Sequence, residues 1–279
     1  MNIPKLPLGV YVDHFVQFLN DKLLGFFNVI GTVIETFNDI LVGILAFIPA
    51  ILLAVIVAGL AYWASRRWGL TVFTLIGLLL IINLGYWEQT LDSLALVLTS
   101  VIISMIIGIP LGIWCSQSDR VSGILSPILD FMQTMPAFVY LIPAILFFGI
   151  GVTPGIIASV IFAMPPTIRL TNLGIRQVPE DLVEASNAFG STTSQKLFKV
   201  QLPLATGTIM AGVNQSIMLA LSMVVIASLV GAPGLGVEVY RAVQRIQVGL
   251  GFEAGIAIVI LAIILDRITQ SLNPSKRKR

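Results

Sequence analysis

Apolar residues in this chain come in long unbroken runs, and most polar residues are gathered between those runs. A helix that crosses a bilayer needs roughly 20 mainly apolar residues. By that rule the sequence predicts seven spans, at 41–63, 70–87, 93–114, 124–150, 154–170, 209–230 and 248–265. The runs are continuously apolar rather than alternating, so helices are expected and barrel strands are not. Pro127, Pro136, Pro143, Pro154, Pro165 and Pro166 fall in or beside the fourth and fifth spans and mark both as broken, partly re-entrant candidates. Such prolines suit a hinge or a translocation path, and equally suit simple kinks.

Two segments outside the spans also read as helical. Over 10–37, Phe15, Phe18, Leu19, Phe26, Ile30, Val33, Ile34 and Phe37 recur at three- and four-residue spacing. Asp21, Asn28 and Glu35 lie on the other side, so an amphipathic helix in the outer interface is expected. The second segment begins at Pro179-Glu180-Asp181, a good helix start because proline suits the first turn and acids favour the positive dipole end. Gly190 ends that helix in the left-handed conformation. Thr192-Thr-Ser-Gln195 fits a capping box for a second helix, carrying Leu197, Phe198 and Val200 until Pro203 stops it.

Composition agrees with a membrane solvent: 57% of the 279 residues are hydrophobic and 11% charged, with a mean hydropathy of +0.97. Loop charge orients the spans. With the N-terminus outside, the cytoplasmic side collects twelve of the sixteen basic residues: Arg66, Arg67, Arg120, Arg169, Arg176, Lys196, Lys199, Arg267 and Lys276-Arg-Lys-Arg279. The reading is therefore N-outside and C-inside, which puts 178–203 in the cytoplasm. Trp63, Trp87 and Trp114 fall at span ends, as an aromatic belt requires. The first residues lack the basic run, compact apolar core and cleavage site of a secretory signal.

Little catalytic chemistry is on offer. The one cysteine, Cys115, and the one histidine, His14, leave no disulfide and no parts for a Cys/His metal site. A net charge of +2 with scattered basic residues argues against nucleic acid. Gly231-Ala-Pro-Gly-Leu-Gly236 follows a span and lacks the strand–turn–helix context of a dinucleotide site; a flexible or tightly packed outer turn is expected. Gly190 to Lys196 is not a phosphate loop. Gln133, Thr134, Asn214, Gln215 and Ser222 are polar positions inside spans, where they join helices or face a cavity. Asp130 is the one acid well inside a span, and no partner for it is evident in the sequence.

Glu184-Ala-Ser-Asn-Ala-Phe-Gly190, followed after nine residues by Val200-Gln-Leu-Pro203, resembles the cytoplasmic coupling loop of bacterial ABC importer permeases. That family's pattern is Glu-Ala-Ala, three residues, Gly, nine residues, Ile-x-Leu-Pro; Ser186 stands for the second Ala and Val200 for the Ile. Met132-Gln-Thr-Met-Pro-Ala-Phe-Val-Tyr140, Met164-Pro-Pro-Thr-Ile-Arg169, Ala211-Gly-Val-Asn-Gln215 and the Gly231–Gly236 turn are similar to the branch that imports glycine betaine and proline betaine.

The resemblance implies an all-α, polytopic permease with about seven transmembrane helices and a type-1 ABC importer core. Its expected parts are an amphipathic N-terminal helix at 1–40, two accessory spans at 41–89, a core at 90–270 holding the loop 178–203, and a basic tail at 271–279. It further implies that Glu184, Ala185, Ser186, Gly190, Leu202 and Pro203 receive a separate ATPase, which binds ATP and magnesium; this chain itself has no catalytic site and no cofactor. Two copies are expected to pair in the bilayer, and an extracytoplasmic binding protein to select a quaternary-amine solute. Candidates for the path are Gln133, Thr134, Tyr140, Asn214, Gln215 and Ser222. An ion-coupled secondary transporter and a solute channel are the alternatives.

Overall fold

The computed structural model describes residues 7–272, and among them every regular element is helical. The basic tail at 276–279 lies outside the described residues. The interior is built by α4 (Trp87–Gln117), α7 (Val152–Arg176), α10 (Leu202–Ser228) and α12 (Val248–Ser271). Leu96 of α4, Ile156 of α7, Ala220 of α10 and Leu261 of α12 share one buried cluster. Lipid tails are as apolar as these side chains, so close approach through small residues has to bind the helices. A Cβ on Gly112 of α4 would stand 2.6 Å from Thr171 Cβ and 2.7 Å from the Ile168 carbonyl oxygen of α7. Gly212 of α10 leaves the same kind of space for the Pro166 carbonyl, 3.0 Å from where a Cβ would lie. Between α7 and α10, the buried hydroxyls of Thr167 and Ser216 lie 2.8 Å apart, and Ser216 donates to the Ala163 carbonyl at 2.5 Å.

The fourth expected span is bent, as its prolines suggest, but it does cross. α5 (Asp119–Thr134) and α6 (Ala137–Phe148) meet at 98°. Pro136 has no amide to continue the ladder and forces Met135 into the extended region, at φ −68 and ψ 139. At one end of the bundle, Arg176 of α7 donates to the Cys115 carbonyl of α4 at 2.8 Å, next to the start of α5. At the other, just past the end of α6, the Gly151 amide donates to the Val230 carbonyl at 2.9 Å. The bent pair joins these two ends, so it is a crossing and not a re-entrant loop. The fifth span differs from expectation: Pro165 and Pro166 are buried inside α7, which runs on through them. Close packing on α4 and α10 holds the helix where its own ladder is interrupted.

The N-terminal third also departs from the sequence reading. α1 (Leu8–Phe47) is one helix of 40 residues, and the chain breaks at Ile48–Pro49, inside what reads as the first span. α2 (Ala50–Ser65) and α3 (Trp68–Asn83) follow, each 16 residues long. At 1.5 Å per residue each reaches about 24 Å, short of the roughly 30 Å hydrocarbon core. Trp87 opens α4 instead of closing the second span.

By length and composition α1 could cross a membrane; its neighbours show where it meets the bundle. Gly31 meets Phe148 and Thr153, at the end of the bundle where α6 stops and α7 starts. Phe47 is three residues from α2, whose Ala54 packs with Ile81 and Leu235 at that same end. α1 packs on the bundle there, with Ile34 in the cluster of Leu96 and Ile156 and with Phe15, Phe18 and Phe26 exposed.

The turn at Gly231–Gly236 is tightly packed. Gly234 has φ +121, and a Cβ there would meet Ser93 Oγ at 2.5 Å, while the Leu235 amide donates to that Oγ at 2.8 Å. It leads into α11 (Leu235–Gln244), a short helix for which the span pattern gives no sign.

Candidate functional site: the elbow between α7 and α10

Between α7 and α10 the chain leaves the bundle and forms α8 (Glu180–Ala188) and α9 (Thr193–Lys196). α8 opens behind Pro179 with Glu180 and Asp181 in its first turn. Its end is a Schellman turn around Gly190, whose φ is +72. The Ser191 amide donates to the Ser186 carbonyl at 3.1 Å and the Gly190 amide to the Asn187 carbonyl at 2.9 Å. A side chain at 190 would be strained by that φ although nothing lies within 4 Å of it. Glycine here answers a backbone demand.

α9 starts with the capping box. Gln195 N donates to Thr192 Oγ1 at 3.3 Å, and Thr192 N donates to Gln195 Oε1 at 3.0 Å. Two contacts absent from the sequence reading lock the angle between the helices. Ser186 and Ser191 hydroxyls lie 2.6 Å apart, and Lys196 Nζ donates to Asn187 Oδ1 at 3.3 Å. Ser186 therefore works inside the elbow, half-buried, beyond being merely small. Polar residues flanking a left-handed glycine were the available signal.

Pro203 does not stop the second helix. The backbone widens to a π turn over Leu197–Gln201, in which the Leu202 amide donates to the Leu197 carbonyl, and continues as α10 with Pro203 in its first turn. A proline ring clashes with the carbonyl four residues earlier in a regular α-helix. The i to i−5 turn before Pro203 changes that spacing, so the helix proceeds with a local bulge. The elbow is thus continuous with α10 on one side and separated from α7 by little more than Val178 and Pro179.

Among the described residues, nothing covers the outside of the elbow. Glu184, Ala185, Gly190 and Pro203 are exposed, Leu202 is half-buried, and Glu184 makes no ion pair among the described residues. Phe189 is 93% exposed and Phe198 63%. The elbow thus combines rigid internal bonding with aromatic groups turned outward.

The path candidates separate. Gln133 and Thr134 end α5 just before the bend, half-buried and exposed respectively. Tyr140 reaches back across the bend to the carbonyls of Phe131 and Met132, at 3.0 and 2.9 Å. Gln215 and Ser222 share an exposed stripe of α10 with Met218. Asn214 instead joins α10 to α12: its Nδ2 donates to Asp266 Oδ1 at 2.7 Å, and its Oδ1 accepts from Thr269 at 2.9 Å. Asp130 has a partner after all, Arg169 of α7 at 2.5 Å. Its partner is 39 residues away in the chain and meets it only once α5 and α7 pack. Among the described residues no group of three or more His, Cys, Asp or Glu is placed to hold a metal.

Comparison with known proteins gives this geometry its context. The chain is 63% identical, over 99% of its length and 98% of the relative's, to the glycine betaine transport system permease protein OpuAB of Bacillus subtilis. It is 57% identical, over 98% of its length and 97% of the relative's, to the glycine betaine/carnitine transport permease protein GbuB of Listeria monocytogenes. To the glycine betaine/proline betaine transport system permease protein ProW of Escherichia coli it is 51% identical, over 88% of its length and 68% of the relative's. Among solved structures, an inward-facing MetNI methionine ABC transporter matches with a TM-score of 0.61 at 23% identity, over 67% of this chain and 95% of that one, which shows a shared fold. Residues 108–278 match the model of the binding-protein-dependent transport system inner membrane component, and the chain belongs to that family, as a multi-pass transport protein of the cell membrane.

Proposed function

We propose that this chain is the permease subunit of an ATP-driven importer for glycine betaine, proline betaine or a related quaternary amine. The observation that carries the reading is the elbow: two short helices held rigidly about Gly190, with Phe189 and Glu184 turned outward and uncovered by the other described residues. A separate ATPase binding ATP and magnesium docks there, so this subunit itself needs no catalytic site and no cofactor. The solute class is supported by the names of the relatives, which are glycine betaine permeases along most of this chain's length.

In this reading the basic residues at the α2–α3 turn, the α7 end and the elbow face the cytoplasm. α2 and α3 complete the crossings by local thinning of the bilayer around them. α1 and α11 lie on the outer side, where an extracytoplasmic binding protein delivers the solute. Two copies pair, and the Gln215–Ser222 stripe of α10 with Gln133 and Thr134 lines the path between them. Nucleotide-driven closure of the two ATPases moves the elbows and, through α7 and α10, the bundle.

Reconstitution in proteoliposomes tests this. The chain with its ATPase and binding protein should accumulate radiolabelled glycine betaine only when ATP is present, and Glu184→Arg should abolish the accumulation while leaving solute capture by the binding protein intact. Uphill transport by the chain alone under an ion gradient would discard the reading.

A further inference from the structure

In α5, Asp119, Ser122, Ser126, Asp130 and Gln133 recur at a three- and four-residue spacing that sets them along one side of the helix. α7 answers with Arg169, Asn172 and Arg176 at the same spacing. The two sets meet as an antiparallel ladder. Arg176 pairs with Asp119 at 2.7 Å, Asn172 Nδ2 donates to Ser122 Oγ at 3.4 Å, and Arg169 pairs with Asp130 at 2.5 Å. The lowest rung is braced, since Arg176 also donates to the Cys115 carbonyl and to Asn172 Oδ1, each at 2.8 Å. The Asp130–Arg169 rung has no such brace.

That upper rung lies toward the cytoplasmic end of the expected spans, with Arg169 next to the end of 154–170, and its side chains are 65% and 42% exposed. Charges within a span face a water-filled cavity or other protein, not lipid. The two helices it joins are held very differently. α7 is clasped by α4 and α10 at Gly112 and Gly212, whereas Leu129 is the single buried residue of α5. α7 continues into the elbow, and α5 into the bend at Pro136. A motion of the elbow therefore reaches the bend through these rungs.

We propose that the Asp130–Arg169 pair is a latch on the cytoplasmic half of the path, closed in this structure and opened when the elbow draws α7 along α5. The proposal rests on the ATP-driven reading above and adds two residues that set how tightly solute movement follows ATP hydrolysis. An exposed ion pair is weak enough to part and re-form in each cycle; a buried one would not be. Breaking the rung by mutation leaves α5 unlatched, so hydrolysis proceeds without matched transport.

The test measures glycine betaine accumulated per ATP hydrolysed, in proteoliposomes holding the full complex. Asp130→Asn and Arg169→Gln should each lower that ratio at least threefold, and the exchange Asp130→Arg with Arg169→Asp should recover at least half of the loss. Unchanged ratios in the single variants, or an exchange no better than they are, overturn the latch. A second measurement covers variants that fail to fold. With Cys115→Ala, Asp130→Cys and Arg169→Cys, a short reducible bis-methanethiosulfonate should bridge 130 and 169 and stop uptake until reductant is added. No bridging, or full uptake through the bridged protein, overturns the latch as well. If the unmodified complex itself shows no ATP-dependent uptake, the functional reading is what fails.

Discussion

The Tyr140 hydroxyl donates to the Met132 carbonyl, 2.9 Å away across the bend between α5 and α6. That carbonyl is the one a regular helix would pair with the amide of residue 136, and Pro136 has no amide. The hydroxyl thus replaces a main-chain bond that the proline removes, in a setting where an unpaired carbonyl is expensive. Tyr140→Phe deletes the bond and keeps the ring. A hydrogen bond of this kind is worth about 1 kcal/mol of stability, so the melting temperature in detergent should fall by a few degrees, with the protein still inserted. An unchanged melting temperature would show that the bend needs no such tie.

Gly190 makes a sharper demand. Its φ of +72 strains any residue with a Cβ, although space around it is open. Strain of about 1–2 kcal/mol is expected for an ordinary side chain and less for asparagine. Uptake should therefore rank glycine, then asparagine, then alanine, then valine at 190, with valine at least fivefold below glycine. ATPase co-purification should follow the same order. A ranking by side-chain volume alone, with asparagine below alanine, would point to crowding by the partner and away from backbone strain.

How far the sequence could be read depends on the range of the interaction. The Gly190 turn, the Thr192–Gln195 box and the long apolar helices are local, and spacing along the chain reveals them. The Pro136 break is equally local, and it was legible. The rest needed partners distant in the chain. Asp130 is solitary in the sequence because Arg169 is 39 residues away, and the choice for Asn214 between joining helices and facing a cavity stays open there because Asp266 is 52 residues away. The continuity of α10 through Pro203 was hidden for another reason. Nothing in the residue types announces a π turn, which arises when a helix has to pass a proline with its other contacts kept. The extent of α1 is hidden in the sequence because its apolar residues run straight into 41–47, and only Pro49 marks the limit.

Glycines at helix crossings carry the packing prediction. Gly112→Ala puts a methyl 2.6 Å from Thr171 Cβ and 2.7 Å from the Ile168 carbonyl oxygen, so α4 and α7 have to part. Overpacking of this kind costs typically 1–3 kcal/mol, and the melting temperature in detergent should drop by several degrees. Gly59→Ala and Gly123→Ala are the controls: each lies in a helix with nothing within 4 Å of the added methyl. Alanine is the better helix former, so neither control should lower the melting temperature.

Asn214 and Asp266 close the α10–α12 contact. The Asp266 carboxylate only accepts, taking Asn214 Nδ2 at 2.7 Å and Gln270 Nε2 at 2.8 and 2.9 Å on its two oxygens. Asp266→Asn replaces one accepting oxygen with a donor, so an amide is turned against an amide whichever way the new side chain is oriented. Asn214→Leu removes the other half of the contact and leaves Thr269 without its acceptor on α10. Each change alone should destabilise the protein by about 1–3 kcal/mol, the cost of a partner lost from a shielded polar group. Because both break one contact, the double variant should cost clearly less than the sum, with an interaction energy of at least 0.5 kcal/mol in a double-mutant cycle. Thermal unfolding of the four proteins in one detergent supplies the cycle. Strict additivity would mean that the two side chains act independently and that α10 and α12 are joined by apolar packing alone.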